Sequence, residues 1–266
     1  MLRSPWLKAL HDQWRSLAGI SVMAGLLGAL YVAFYPSIGA VDQLQQFIKQ
    51  LPPALMALFA AEGLDLGTPE GFLNMELFSF VGPLFVMIFA ASVAAAATAG
   101  EEERGTMDLL LANPIPRWRV VVEKAWAMTI GLAVISAAML LGIAAAAWAV
   151  GVEMHLWRVS AALASTGLLG LSLGGIALLL GALTGRRMVA LGGTLALAVA
   201  SFFVNGLAPL VDWLDRIRPF SVFYHYIGYD PLNRGLDPLH AGILLAIAVV
   251  ATVGAAVAFE HRDLVA

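Results

Sequence analysis

Six long apolar stretches contain no Asp, Glu, Lys or Arg, and they restrict the fold of this chain more than any other feature. A helix needs roughly 20 residues to cross the hydrocarbon core of a bilayer, and membrane-crossing β-strands would be shorter and alternate in polarity. The composition agrees, since 61% of the residues are hydrophobic and 12% are charged. The predicted membrane spans cover residues 16–41, 77–100, 125–152, 159–185, 188–211 and 240–259.

We therefore predict an all-α membrane protein in which residues 1–266 form one transmembrane domain with six transmembrane helices. Residues 1–15 place Trp6, Leu10 and Trp14 on one helical face, which is typical of an interfacial helix on the membrane surface. The first apolar run is too long for the apolar core of a signal peptide, so cleavage is not expected.

The distribution of Lys and Arg predicts the orientation. With the N-terminus inside, the inner segments hold ten of these residues and the outer segments hold five. An excess of cationic residues on the cytoplasmic side favours a cytoplasmic N-terminus and C-terminus. Residues 42–76 and 212–239 are then extracytoplasmic loops. The second loop is rich in aromatic residues and is either an interfacial aromatic belt or a partly re-entrant plug over a pathway.

The predicted spans have no charged residue near their centres, which argues against an ion-coupled carrier or a channel. Glycines of the fourth span, among them the pair Gly170 and Gly174, allow close helix packing, either inside the bundle or between two copies. Weak candidates for a substrate pathway are the polar residues Thr129, Ser136, Thr194, Ser201 and Asn205.

Motifs of soluble enzymes are missing from the sequence. It has no phosphate-binding loop of the G-x-x-x-x-G-K-[ST] type, and its five His residues form no metal-binding motif. We therefore expect no catalytic site, no metal site and no cofactor in this chain. Membrane lipid is an expected partner, and nucleic acid is not.

A dense charged segment, residues 101–120, lies between the second and third predicted spans. Thr106 is a candidate helix N-cap, and Asn113-Pro114 would end the helix. The resulting helix of about two turns would present Met107, Leu110 and Leu111 as an apolar tip ringed by charge. It is either a docking helix for another protein or a solvated loop. The candidate docking residues are Glu102, Glu103, Arg104, Gly105, Thr106, Met107, Asp108, Leu109, Leu110 and Leu111.

The stretch "EEERGTMDLLLANPIPRWRVVVEKAWA" resembles the signature of permease subunits in the type-2 exporter family of ATP-binding-cassette transporters. "LFSFVGPLF", "FSVFYHYIGYDPLNRG" and the C-terminal "AFEHRDL" resemble further parts of the family pattern in the same order. Asp108 stands where the family more often has Glu, and Met107 where it often has another aliphatic residue.

The resemblance implies six helices, a second permease copy or close homologue, and a coupling helix that docks on a separate ATPase subunit. Glu102 and Glu103 would head that helix, Gly105-Thr106 would form its turn, and Asp108, Leu109 and Leu110 would form its docking surface. ATP and Mg would bind in the partner ATPase. The implied location is the plasma (inner) membrane of a prokaryote.

Two functions remain open on this basis. The first is an ATP-driven exporter that moves a hydrophobic or amphipathic substrate outward. The second is an ATPase-coupled mechanotransmitter or assembly subunit that acts on an extracytoplasmic partner without moving a solute. A nucleotide-independent channel or ion-coupled carrier is disfavoured, because the spans are uncharged and the charged segment resembles a docking helix.

Overall fold

The computed structural model describes residues 5–37, 52, 68–97 and 116–261, and all of its regular structure there is helical. Six helices in these ranges are long and apolar enough to cross a membrane. They are α1 (Pro5–Phe34), α2 (Pro69–Ala97), α3 (Arg117–Val150), α4 (Leu156–Thr184), α5 (Arg187–Leu207) and α9 (Pro238–His261). Three short α-helices lie between α5 and α9, namely α6 (Asp212–Ile217), α7 (Val222–Ile227) and α8 (Pro231–Arg234), together with two 3-10 turns at Ala208–Leu210 and Arg218–Phe220.

The helices form a bundle with α4 at its centre, where α4 packs against α2, α3, α5 and α9. The α1 helix packs on the outside of the bundle, mainly against α3. We call the end where α2 finishes and α3 begins the inner end, and the opposite end the outer end. The segment 212–239 lies at the outer end and is called the aromatic segment below.

Capping side chains, a proline and glycines mark the ends of several long helices. Thr68 caps α2, because its hydroxyl accepts a hydrogen bond from the main-chain N–H of Gly71 at 3.1 Å, and Pro69 follows at the first helical position. The α3 and α4 helices end at Gly151 and Gly185, whose φ angles of 72° and 62° lie in the left-handed region that favours glycine.

Several helices run beyond the charge-free stretches of the sequence. The α1 helix is continuous from Pro5, so the predicted N-terminal segment enters the first span without a break. The α3 helix starts at Arg117 and contains Arg119, Glu123 and Lys124. These charges are accommodated within the helix because Arg119 pairs with Glu123 four residues later, at 2.7 Å, and Lys124 has its own partner.

Close helix crossings occur at glycines. Gly170 and Gly174 of α4 face Leu132 and Met128 of α3, so this pair serves packing inside the bundle. Among the described glycines, the tightest crossing joins α1 to α3, where a methyl group on Gly142 would overlap the carbonyl oxygen of Gly25.

Candidate functional site

The α2 helix changes its hydrogen-bonding pattern near the outer end. Residues Asn74–Val81 form a π-helix, after which the α-helix resumes at Gly82. The Ser79 hydroxyl donates a hydrogen bond to the main-chain carbonyl of Asn74 at 2.8 Å, inside this stretch. π-Helical turns are uncommon and are often found at functional sites. This stretch of α2 contacts both the aromatic segment and a groove beside α5.

Tyr226 of the aromatic segment is fully buried against α2 and α4. Its hydroxyl donates to the main-chain carbonyl of Phe78 at 2.7 Å and lies 3.1 Å from the Thr166 hydroxyl. One residue earlier in α4, the Ser165 hydroxyl donates to the main-chain carbonyl of Tyr226 at 2.9 Å. Burial raises the pKa of Tyr226, so this side chain stays a neutral hydrogen-bond donor.

A second polar contact holds the aromatic segment on α2. The Asn74 amide donates to the Asp230 carboxylate at 3.2 Å, and the Asn233 amide donates to its other oxygen at 2.7 Å. Asp230 has a φ of 58°, a left-handed conformation that Asp adopts more readily than most residues. The carboxylate therefore ties the short α8 helix to the π-helical stretch of α2.

Two histidines face each other where the aromatic segment meets α9. His225 Nε2 lies 2.8 Å from the carbonyl oxygen of Pro219 and so must carry a proton. His225 Nδ1 then accepts from His240 Nδ1–H at 2.9 Å. The Tyr229 ring stacks on His240, with ring centroids 4.7 Å apart. Burial lowers the pKa of His225, and the nearby His240 lowers it further, while the bond to Pro219 opposes the shift.

An apolar groove of about 260 Å³ lies between α2 and α5, beside the π-helical stretch. Aromatic rings dominate its wall, and the Phe202 ring makes edge contacts with the rings of both Phe80 and Phe223. Phe80 and Phe203 are each nearly half exposed, so their rings are accessible from outside the bundle. The remaining lining residues are Ser79, Pro83, Leu84, Met87, Ala198 and Val199.

A larger groove, of about 370 Å³, lies between α3 and α9. Its wall is almost entirely aliphatic, apart from Trp126, Thr129 and Thr252. The Thr129 hydroxyl donates to the carbonyl of Ala125 on its own helix at 2.8 Å, so its hydrogen-bonding capacity is partly used within α3.

The five polar residues predicted to mark a pathway do not line one cavity. Thr129 lies in the α3–α9 groove, Ser136 borders a small void next to Phe78, and Thr194 is fully buried in α5. Ser201 and Asn205 are the two that come together. The Ser201 main-chain carbonyl accepts from the Ser221 hydroxyl at 2.7 Å, and the Asn205 side-chain oxygen accepts from Arg218 at 3.2 Å. Both residues therefore anchor the aromatic segment on α5.

The groove residues Phe80, Phe202 and Phe203 were not singled out from the sequence. The adjacent pair Phe202-Phe203 follows the predicted residue Ser201, which is the only local signal for them. Phe80 lies on a different span, and its proximity to Phe202 depends on how α2 and α5 pack. A pattern within one span cannot supply that information.

The predicted docking residues 102–111 lie outside the described residues, but the helices on both sides are described. The structure describes α2 as far as Ala97, and α3 begins at Arg117. The Lys124 ammonium, which is buried, donates a hydrogen bond to the main-chain carbonyl of Ala97. Among the described residues, no group of three His, Asp or Glu side chains is placed to hold a metal ion.

The bundle of long apolar helices agrees with a comparison against protein families. Residues 12–264 match the family described as ABC-2 family transporter protein. No curated protein is significantly similar to the sequence. Members of this family are typically non-catalytic, multi-pass membrane subunits that pair with ATP-binding-cassette ATPase subunits. Because the match spans nearly the whole chain, the protein belongs to the ABC-2 family of transporters and is a membrane component of such a transporter.

Proposed function

We propose that this chain is the permease subunit of an ATP-driven exporter that moves a hydrophobic or amphipathic substrate outward. The observation that carries this proposal is the aromatic groove between α2 and α5. A small number of aromatic rings around an apolar cleft suits a ligand with a large apolar surface. The groove also contacts the π-helical stretch of α2, so a change in α2 would alter the groove.

The energy source in this proposal is a separate ATPase subunit that docks on residues 102–111. ATP binding would bias the bundle between inward-open and outward-open forms. Docking can drive this change only through different interaction energies with the two forms. A second permease copy, or a close homologue, would complete the transporter, and the N-terminus and C-terminus would be cytoplasmic.

A second candidate function is mechanical work on an extracytoplasmic partner. The aromatic segment favours it, because Trp213 and Phe220 are largely exposed there while Tyr226 is fixed inside the bundle. A movement of α2 or α4 would be transmitted to those exposed rings through Tyr226. Solute flux is not needed for that role.

Uptake into inverted membrane vesicles distinguishes the two functions. The vesicles would contain the permease with its ATPase, and the probes would be a fluorescent amphipathic dye and a fluorescent phospholipid. Under the exporter proposal, vesicles that contain the Phe203→Ala variant accumulate less probe than vesicles that contain the wild-type permease. Loss of one aromatic contact costs about 1 kcal/mol, or roughly fivefold in affinity.

The matched control is Phe220→Ala, which removes a more exposed ring that lies outside the groove. Export through the groove predicts that Phe220→Ala leaves uptake unchanged. If neither probe accumulates in the vesicles when ATP is added, the mechanical role is the better account. The same conclusion holds if Phe220→Ala reduces uptake and Phe203→Ala does not.

A further inference from the structure

Lys124 is a buried cation that joins two helices at the inner end of the bundle. It lies in the first turns of α3 and is 5% exposed. Its ammonium reaches across to α2 and donates to the main-chain carbonyl of Ala97, the last described residue of that helix. The contact therefore links the inner part of one span to the beginning of the next.

The chemistry of an ammonium group explains why a lysine suits this position. It carries three N–H donors on a flexible stem, which can reach a main-chain carbonyl of a neighbouring helix. A charged donor also makes a stronger hydrogen bond than a neutral one. Because the bond is buried, water competes with it less than at an exposed site.

Arg119 provides a contrast on the same helix. Its side chain is about half exposed, at 54%, and it pairs with Glu123 of α3 itself. An ion pair within one helix stabilises that helix but does not fix its position relative to another. The contact of Lys124 with Ala97, by contrast, restrains α3 against α2.

We propose that Lys124 is a positioning residue that makes the inner ends of α2 and α3 move as one unit when the ATPase works. This inference rests on the proposed docking of an ATPase between these helices. Residues 98–116 connect the two helices that Lys124 holds together, so a displacement of either helix at the inner end would reach both spans. The α2 helix also contributes Phe80, Leu84 and Met87 to the aromatic groove, so its movement would reach the groove. Coupling of this kind requires packed elements with two discrete arrangements.

The first test compares purified permease–ATPase complexes. Lys124→Met removes the charge and the donor from a side chain of similar length, and Lys124→Arg keeps both. In Lys124→Met, we expect the ATPase to co-purify and basal hydrolysis to persist. Stimulation of hydrolysis by the amphipathic dye should fall about tenfold, within the range that residues along coupling networks show. Lys124→Arg should restore most of the stimulation.

The matched control is Arg186→Met, which removes an exposed cation next to α5, also at the inner end. This variant should keep wild-type stimulation. Equal stimulation in Lys124→Met and the wild type would overturn the proposal. So would a Lys124→Met complex that loses the ATPase altogether, because the residue would then act in assembly rather than in coupling.

The second test is a distance measurement that does not depend on the substrate. The chain has no cysteine, so spin labels can be placed on Ile88→Cys in α2 and Trp118→Cys in α3, two exposed positions. Labelled protein would be diluted with unlabelled protein to suppress distances between copies. The wild-type background should give one narrow distance distribution, both without nucleotide and with the ATPase trapped by vanadate.

Lys124→Met should broaden this distribution, and Lys124→Arg should keep it narrow. Lys124→Gln, which is neutral but still a donor, provides a second variant if the methionine variant does not insert. An unchanged distribution in the neutral variants overturns the proposal, as does failure of both neutral variants to insert. If no ATPase binds the wild-type chain, the proposed function fails instead, and that result is separate from the behaviour of Lys124.

Discussion

Tyr226 brings a hydroxyl group into a part of the bundle that is closed to water. The main-chain carbonyl of Phe78 and the Thr166 hydroxyl are both within hydrogen-bonding distance of it. In an apolar environment water does not compete for the Phe78 carbonyl, so its bond to Tyr226 matters more than it would at a surface. A single side chain thereby connects the aromatic segment with α2 and α4.

Tyr226→Phe tests this connection while keeping the ring. The change removes the donor to the Phe78 carbonyl, and leaving a buried group without its partner costs about 1–3 kcal/mol. We expect a lower melting temperature for the detergent-solubilised protein. Tyr224→Phe is the control, because the Tyr224 hydroxyl makes no hydrogen bond to any residue that the structure describes. Equal melting temperatures for the two variants would contradict the role of Tyr226.

His225 should make stability depend on pH. Its pKa is lower in the folded protein than the ordinary value of 6.5, mainly because of burial. The unfolded chain therefore binds more protons than the folded protein between the lowered pKa and 6.5. The contribution of His225 to the free energy of unfolding is fully present above about pH 6.5 and is lost as the pH falls through the lowered pKa. The groups that face this ring are His240 and Tyr224, with Arg218 over the Tyr224 ring.

Melting temperatures measured from about pH 7.5 down to pH 5 would test this expectation. His225→Gln cannot be protonated in that range, so its melting temperature should fall less on acidification than that of the wild type. His261→Gln, at the exposed end of α9, should behave like the wild type. If the melting temperatures of His225→Gln and the wild type change with pH by the same amount, His225 is not the cause of the pH dependence of stability.

At the scale of the elements, the crossing of α1 and α3 is the closest approach of two helices at any glycine that the structure describes. A methyl group at Gly142 would meet the main chain of Gly25, which cannot move aside as a side chain can. Gly142→Ala must therefore separate the two helices, at a cost of about 1–3 kcal/mol. We expect a lower melting temperature and a reduced yield of folded protein in detergent.

Gly192→Ala in α5 is the matched control, since a methyl group there would have no neighbour within 4 Å. Alanine is also the better helix former, so this variant should be as stable as the wild type or slightly more stable. If Gly142→Ala and Gly192→Ala have the same stability, the α1–α3 crossing is looser than this geometry requires.

At the scale of the whole molecule, the orientation in the membrane is the first property to test. Because the chain has no cysteine, single cysteines can be labelled selectively with a membrane-impermeant maleimide. Cysteines at Glu102 and Arg186 should react only from the cytoplasm. Cysteines at Glu153 and Asn233 should react only from outside. External labelling at Glu102 would place the predicted docking segment on the wrong side for an ATPase.

The docking segment itself is tested by Leu110→Asp. A charge placed in a desolvated protein contact costs several kcal/mol, against about 0.5 kcal/mol or less at an ordinary surface position. The variant should therefore insert normally but lose the ATPase on co-purification. Glu103→Ala should weaken binding less, because a charge at the rim of an interface contributes less.

The control for this variant is Leu236→Asp, which changes a partly exposed leucine in the aromatic segment. It introduces the same charge on the predicted opposite side of the membrane and should leave ATPase binding intact. A Leu110→Asp complex that assembles and transports like the wild type would indicate that the segment around Leu110 is a solvated loop.

The sequence alone was sufficient to predict the class of the protein, the six long apolar helices and the family. Helix length and apolar character are local properties, because a helix in lipid must satisfy its main-chain hydrogen bonds within itself. The family resemblance was also carried by a contiguous stretch, from Glu101 to Ala127. The exact ends of the helices were harder to predict, since Arg119 is accommodated in α3 by its pair with Glu123 four residues later, and Lys124 by a partner on α2.

Only the tertiary structure determined which residues meet across the bundle. Tyr226 and Phe78 are 148 residues apart, and Lys124 and Ala97 are 27 residues apart. Neither contact leaves a periodic pattern within one span, and the close crossing at Gly25 and Gly142 likewise depends on the pairing of α1 with α3. When helices are apolar on most sides, many different helix pairings bury similar surfaces. A few polar bonds and small residues select one of these pairings, and they act only when the helices are in contact.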